Sequence, residues 1–156
     1  MPRPFHCVLI ASLLAATGCK ATPPSPLETV IMTKAKRHIF VGNRGQKNPL
    51  PSDSSTIEEG KEAFSHYCVA CHGMDGQNTG VPFFDRMSPP VPSLASDSVQ
   101  RYTDGQLKWV IDYGIEPSGM PGSKGTLSDE EIWSIVVFLR HLPPAGSQGE
   151  PEMYSH

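Results

Sequence analysis

The segment Cys68-Val69-Ala70-Cys71-His72 sets two thiols three positions apart and an imidazole directly after the second. That spacing is the attachment signature of a c-type haem. Two cysteines on one turn of helix point the same way, a vinyl-to-vinyl distance apart along one edge of a porphyrin. Each thiol can add across one vinyl group. His72 is then carried under the ring, where an imidazole nitrogen can bind the iron. A bare pair of cysteines at this spacing would say less, because zinc sites and thiol redox sites use it too. Zinc would need a second ligand pair of matching spacing, and the sequence holds none. A thioredoxin-like redox pair would sit in an alternating strand–helix pattern, which is also missing.

The elements around that segment must fit in 156 residues, enough for one domain with extensions. The 16 prolines gather outside the helical patterns and point to arms and loops. The four cysteines all find a role without a disulfide. Cys7 lies in an N-terminal apolar run, Cys19 follows that run, and Cys68 and Cys71 hold the haem. Residues 1–18 read as an export signal. Arg3 supplies the positive start, and the apolar run from Cys7 to Ala16 is too short to span a bilayer as a helix. Ala16-Thr17-Gly18-Cys19 resembles a bacterial lipoprotein cleavage box, with Cys19 as the lipidated first residue. Such boxes usually carry leucine where Ala16 stands. The other reading is ordinary cleavage after Gly18, which leaves a free and reactive thiol.

Residues 19–55 read as an arm. Pro23, Pro24 and Pro26 stiffen its start. From Lys20 to Leu50 there are six basic residues against one acidic, a net of +5. From Pro51 onward there are six basic against 15 acidic, a net of −9. The arm is expected to be a tether, and its charge also allows it to lie partly on the acidic domain.

The domain is expected over residues 56–143. Thr56 with Glu59 three residues on reads as a capping box that opens a helix over about Ile57 to Cys71. Gly60 inside it marks a close helix crossing. Glycines and prolines from Gly73 to Pro92 forbid a long element there. The apolar Val81, Phe83, Phe84 and Leu94 in the same stretch expect a greasy surface to cover. A second capping box, Thr103 with Gln106, opens a helix with Leu107, Val110, Ile111 and Gly114 on one face. Trp109 lies beside that face, with rim packing or a haem propionate as its two possible neighbours. A third box at Ser128 and Glu131 starts the last helix, whose apolar residues Ile132, Ile135, Val136 and Leu139 keep helical period. Pro143 and Pro144 stop it. Residues 144–156 are expected to be a flexible tail.

The order helix, CxxCH, loop, helix, methionine loop, helix resembles that of the class I c-type cytochromes over about Thr56 to Leu142. The resemblance implies an all-α cytochrome c fold, with three main helices and loops wrapped around one covalently bound haem c. It implies that His72 is the proximal iron ligand and that Met120, in Gly119-Met120-Pro121-Gly122, is the distal one. Gly60 and Phe64 match the family's first-helix crossing residues, and Phe138 matches the aromatic they meet. A proline carbonyl in the first loop usually accepts from the histidine; Pro82 is the first choice among several. The arm from Lys34 to Pro49 and the Gly80-to-Pro92 segment look like those of a subgroup of bacterial haem-bearing lipoproteins. Among the other methionines Met87 is the rival ligand, since Met74 is too close to His72 and Met32 and Met153 lie in the arms. His38, His66, His141 and His156 are most simply solvent-facing, with bis-histidine iron as the alternative.

The resulting expectation is a single-electron carrier without catalytic residues. It would be exported, held on the periplasmic side of a bacterial membrane through Cys19, and would serve a dehydrogenase or respiratory complex. The alternative is a haem-based small-ligand sensor, in which the sixth iron position opens easily. Only one CxxCH is present, which disfavours a multi-haem enzyme. Nothing in the sequence points to nucleic acid.

Overall fold

The computed structural model describes residues 41–116 and 118–150, together with Ser25, Leu27, Glu28 and Ile31. The export signal, Cys19, the rest of the arm before residue 41 and the tail from residue 151 lie outside the described residues. The chain divides into two units, Met1–Lys34 and Ala35–His156. In the first, Ser25 and Glu28 exchange hydrogen bonds: Ser25 N–H donates to Glu28 Oε2 at 2.7 Å and Glu28 N–H to Ser25 Oγ at 3.3 Å. The second holds the helices. Among the described residues no helix is long and apolar enough to cross a membrane.

The second unit is all-α among its described residues. The elements are α1 (Ser54–Tyr67), α2 (Val69–His72), a 3-10 turn (Phe84–Arg86), α3 (Asp97–Gln100), α4 (Asp104–Tyr113) and α5 (Asp129–Arg140). Three of these are long, as expected. α1 starts earlier than the expected Thr56 box. Its N-cap is Asp53, whose carboxylate accepts from Thr56 N–H at 2.9 Å, while Thr56 itself is buried. An aspartate caps at least as well as a threonine, so the earlier of two cap-type residues wins. The capping boxes at Thr103 and Ser128 form as expected, with both reciprocal bonds present in each.

α1 lies across α5, and Gly60 makes the approach possible. A side chain there would collide with the Ser134 carbonyl and press on Phe138. One turn on, Phe64 meets Phe138 with ring centroids 5.2 Å apart. Phe64, Ile132, Ile135 and Val136 are almost wholly buried and form the centre of the core, with Leu107 and Ile111 of α4 against it. Arg140 closes the end of α5. It donates to Asp104 Oδ1 at 2.9 and 3.0 Å and to the carbonyls of Gln100 and Tyr102, which fixes the α3–α4 corner.

Part of the arm belongs to this unit. Asn43 takes a left-handed φ of 59° and opens a turn closed by Gln46. Arg44 O accepts from Thr103 Oγ1 at 3.0 Å, and Asn48 Nδ2 donates to Trp133 O at 2.9 Å. Gly105 lies directly under the carbonyls of Asn43 and Gln46, where any side chain would clash. Residues 41–50 are thus a strap on the start of α4, and the tether expected to reach residue 55 ends sooner.

Candidate haem site

α1 delivers the two thiols. It ends at Tyr67, and Cys68 adopts φ −113° and ψ −25° between α1 and α2, so the helix expected to run on to Cys71 is broken in two. Cys71 N–H and His72 N–H both return to Cys68 O, at 3.2 and 3.0 Å. Cys68, Cys71 and His72 therefore share a single turn. Both cysteines are free thiols and half-buried. Cys68 packs against the core, and burial, with the neighbouring Cys71 adding to it, pushes its thiol up to about 12. A thiol so placed stays protonated and waits for chemistry rather than for solvent.

The His72 ring stands 6.4 Å from the Phe64 ring, centroid to centroid. Burial pushes the imidazole down to about 4, so it is neutral and its lone pair is available to a metal. Its Nδ1 is buried and finds no hydrogen-bond partner among the described residues. The proline carbonyl expected to hold it, Pro82 first, does not do so, and Pro82 is exposed.

The loop after His72 is folded back on it. Asn78, at φ 66°, donates its N–H to His72 O at 2.8 Å and its Nδ2 to Val91 O at 3.2 Å. Gly73, at φ 71°, leaves room for Thr79, against which any side chain would press. Asp75 is the hub. Its carboxylate accepts from Gln77 N–H at 2.8 Å, Thr79 Oγ1 at 2.6 Å and Gly146 N–H at 2.7 Å. Burial raises this carboxyl, and the bonds from Thr79, Gly146 and Gln77 outweigh burial and hold it below its ordinary value. Gln77 Nε2 also reaches Pro143 O at 2.8 Å, and Glu150 lies over Gly80. Pro143 at the end of the domain is docked on this loop, and so are Gly146 and Glu150 in the stretch expected to begin a flexible tail. Of the expected apolar cover, Val81 is buried and Leu94 packs against the core, while Phe83 and Phe84 are exposed.

Met120 comes from a different loop, between α4 and α5. It is half-buried, its carbonyl accepts from Ile115 N–H at 3.1 Å, and its own N–H meets Ser118 Oγ at 3.3 Å. Met87 follows the 3-10 turn and is half-buried too. His141 has its ring nitrogens 2.9 Å from Val137 O and 3.2 Å from Ser52 Oγ, and His66 is exposed beside Tyr67. Trp109 packs on Tyr113, with ring centroids 5.2 Å apart, and against Gly42, the packing reading of that residue. Among the described residues no three or more His, Cys, Asp or Glu groups are placed to hold a metal ion by themselves. Two free thiols on one turn and a neutral imidazole directly after them fit a c-type haem.

Residues 55–139, more than half of the chain, match the family described as cytochrome c oxidase, cbb3-type, subunit III. The chain belongs to this family of c-type cytochromes. It carries covalently bound haem c, and its role is electron transfer. It is 35% identical over 71 residues to cytochrome c-554(548) of Halomonas halodenitrificans, covering 46% of this chain and 78% of that one. It is also 35% identical over 106 residues to the cytochrome c subunit of a quinone alcohol dehydrogenase from Gluconobacter oxydans, covering 62% of this chain. The cbb3-type cytochrome c oxidase subunit FixP of Sinorhizobium medicae is 26% identical over 97 residues, 59% of this chain. The chain spans only 20% of the length of the dehydrogenase subunit and 29% of FixP.

Lys108 and Asp75 belong to none of the motifs above, yet both are buried hubs. The placing of Asp112 four residues after Lys108 on one helix face is the signal that could have found the first. Asp75 had none, since its partners span a loop and a distant glycine.

Proposed function

We propose that this cytochrome is an exported carrier of single electrons with one haem. Cys68 and Cys71 hold the haem through thioethers, and His72 and Met120 bind its iron. The observation that carries this reading is the pair of free thiols on one turn, followed directly by an imidazole that burial keeps neutral. Each attachment is an addition: the thiol sulfur bonds one vinyl carbon and its proton ends on the other, so no oxidant is required. Bound haem supplies the one-electron couple of its iron. His72, whose ring stands 6.4 Å from that of Phe64, would hold the iron. The Met120 thioether is neutral and soft, favours the reduced iron and raises the potential. With His72 and Met120 both on the iron, no position would be left for a substrate, which suits electron transfer.

The names of two relatives, a dehydrogenase subunit and a cytochrome bc1 complex subunit, support a partner of that class: a dehydrogenase or respiratory complex on the periplasmic side of a membrane. The signal at residues 1–18 supports export, and Cys19 supports lipid anchoring there. The test is spectral. The reduced protein should show a six-coordinate c-type spectrum that carbon monoxide leaves unchanged. Ready binding of carbon monoxide would favour the small-ligand sensor instead.

A further inference from the structure

The segment between α4 and α5 is a hoop with both feet on α4. Gly114 N–H donates to Val110 O at 2.8 Å, Ser123 N–H to Ile111 O at 2.9 Å and Lys124 N–H to Asp112 O at 3.0 Å. The last carbonyls of a helix need outside partners, and here the returning hoop supplies them. The feet are tightly seated. A side chain at Gly114 would run into the Met120 carbonyl, and one at Gly122 would stand 2.7 Å from Asp112 O. Met120 lies within this hoop.

Under the returning foot sits Lys108. Its Nζ donates to Asp112 Oδ2 at 2.8 Å and to Asp129 Oδ1 at 2.8 Å. The side chains of Lys108 and Asp112 are each 7% exposed, that of Asp129 84%. The Trp133 ring closes another side, with its centroid 5.7 Å from Nζ. Asp112 therefore holds the hoop by its carbonyl and Lys108 by its carboxylate, while Asp129 is the first residue of α5, just past the hoop's end. The end of α4 and the start of α5 meet on one ammonium group, and the foot of the hoop is tied to it through Asp112. An apolar residue would satisfy the packing of α4 as well, and a buried ion pair is weak support for stability as such. What the pair does supply is a fixed distance between the end of α4, the foot of the hoop and the start of α5.

We infer that Lys108 is a positioning residue for Met120, holding the hoop in the one arrangement that keeps the thioether on the iron. This rests on the reading of Met120 as the distal ligand. A ligand carried on a loop keeps its geometry only as well as its supporting shell does.

The test uses holo-protein with Lys108→Met, Lys108→Arg or Asp129→Ala, titrated with guanidinium. Far-UV circular dichroism follows the helices. The weak red absorption band of a ferric haem with a thioether ligand follows Met120. In the native protein the two signals should fall together. In Lys108→Met the band should be lost well before the helices melt. Carbon monoxide should then bind the ferrous form roughly tenfold more tightly, as the fraction of molecules with an open sixth position rises. Lys108→Arg should restore coincidence, and Asp129→Ala should give a smaller separation in the same direction. If both signals fall together in Lys108→Met, the ion pair is structural only and the inference fails while the Met120 reading stands. If the native ferric protein lacks the band, the Met120 reading itself fails. Should Lys108→Met give no folded holo-protein, Asp129→Ala decides on the same two signals.

Discussion

Asp75, three residues after His72, accepts a hydrogen bond at 2.7 Å from the backbone N–H of Gly146, 71 positions further along the chain. The bond closes the molecule around its cysteine segment, because the chain that leaves α5 is brought back to the loop behind the histidine. Asp75 is 1% exposed, so its partners have no water to fall back on. Its carboxyl is held below the ordinary value, because three hydrogen bonds to the ionised form outweigh burial. The sign follows from that direction. The stabilisation is complete above the ordinary carboxylate range and is lost as pH falls through the folded value. Acid unfolding of the native protein should therefore contain a component absent in Asp75→Asn. At neutral pH that variant should lose about 1–3 kcal/mol, since a buried donor is left unsatisfied. Urea unfolding at neutral and at acid pH measures both, and the difference between the two proteins should shrink in acid.

Gly60 gives a prediction of opposite sign to simple helix propensity. In an exposed helix interior, glycine to alanine should add about 1 kcal/mol. Here the new methyl meets the Ser134 carbonyl and the side chain of Phe138. Gly60→Ala should instead lower stability by about 1–3 kcal/mol, the usual range for overpacking. Gly45→Ala is the control, because nothing lies within 4 Å of a side chain there. Thermal melts of the two variants beside the native protein would show it; an unchanged melt for Gly60→Ala would mean that α1 and α5 can move apart.

What was legible in the sequence was local. The boxes at Thr103 and Ser128 form because cap and partner are three residues apart and need nothing else. The crossing at Gly60 was legible because glycine in a helix has few other reasons. α1 starts a few residues before the expected box because Asp53 and Thr56 are both good caps and periodicity does not rank them. The strap at residues 41–50 and the docked residues 143–150 left no trace, since polar side chains such as Asn48 and Gln77 reach carbonyls 85 and 66 positions away without any repeating pattern. Lys108 was hidden for the same reason: it is buried because carboxylates come to it, and one of them lies 21 residues off. For the site, the CxxCH motif was legible in full, whereas the orphaned His72 Nδ1 depends on how a proline-rich loop settles.

The thioether assignment has a direct test. Intact mass of purified protein should exceed that of the processed chain by one haem. Cys68→Ser and Cys71→Ser should each leave a single thioether. The double variant should release its haem into acidified organic solvent. Cys68→Ser should also lose more stability than Cys71→Ser, because Cys68 packs against the core. Haem that extracts from the native protein would rule out covalent attachment at these residues.

Cys19 is tested separately. The mature N-terminal peptide should carry acyl chains, and the protein should stay on membranes in high salt, because lipid insertion is not screened whereas attraction of a basic arm to anionic lipid is. A protein that washes off in salt has an unmodified Cys19. Cys19→Ser should release soluble holo-protein with an unaltered visible spectrum, since the haem residues start 49 positions later in the sequence, at Cys68.

Met120 carries the last prediction. Its place is set by backbone bonds to Ile115 and Ser118 and by the feet of the hoop on α4, none of which involves its side chain. Substitution there should therefore spare the fold and change the iron. Met120→Ala should open the sixth position, abolish the thioether band and admit carbon monoxide, with the helical dichroism retained. Met120→His should keep six-coordination and lower the potential, because imidazole stabilises ferric iron better than a thioether does. Met87→Ala should change neither, since Met87 follows the 3-10 turn on the other side of α3 and α4 in the chain. If Met87→Ala loses the band and Met120→Ala keeps it, the distal ligand is Met87. The hoop on α4 would then need a different purpose.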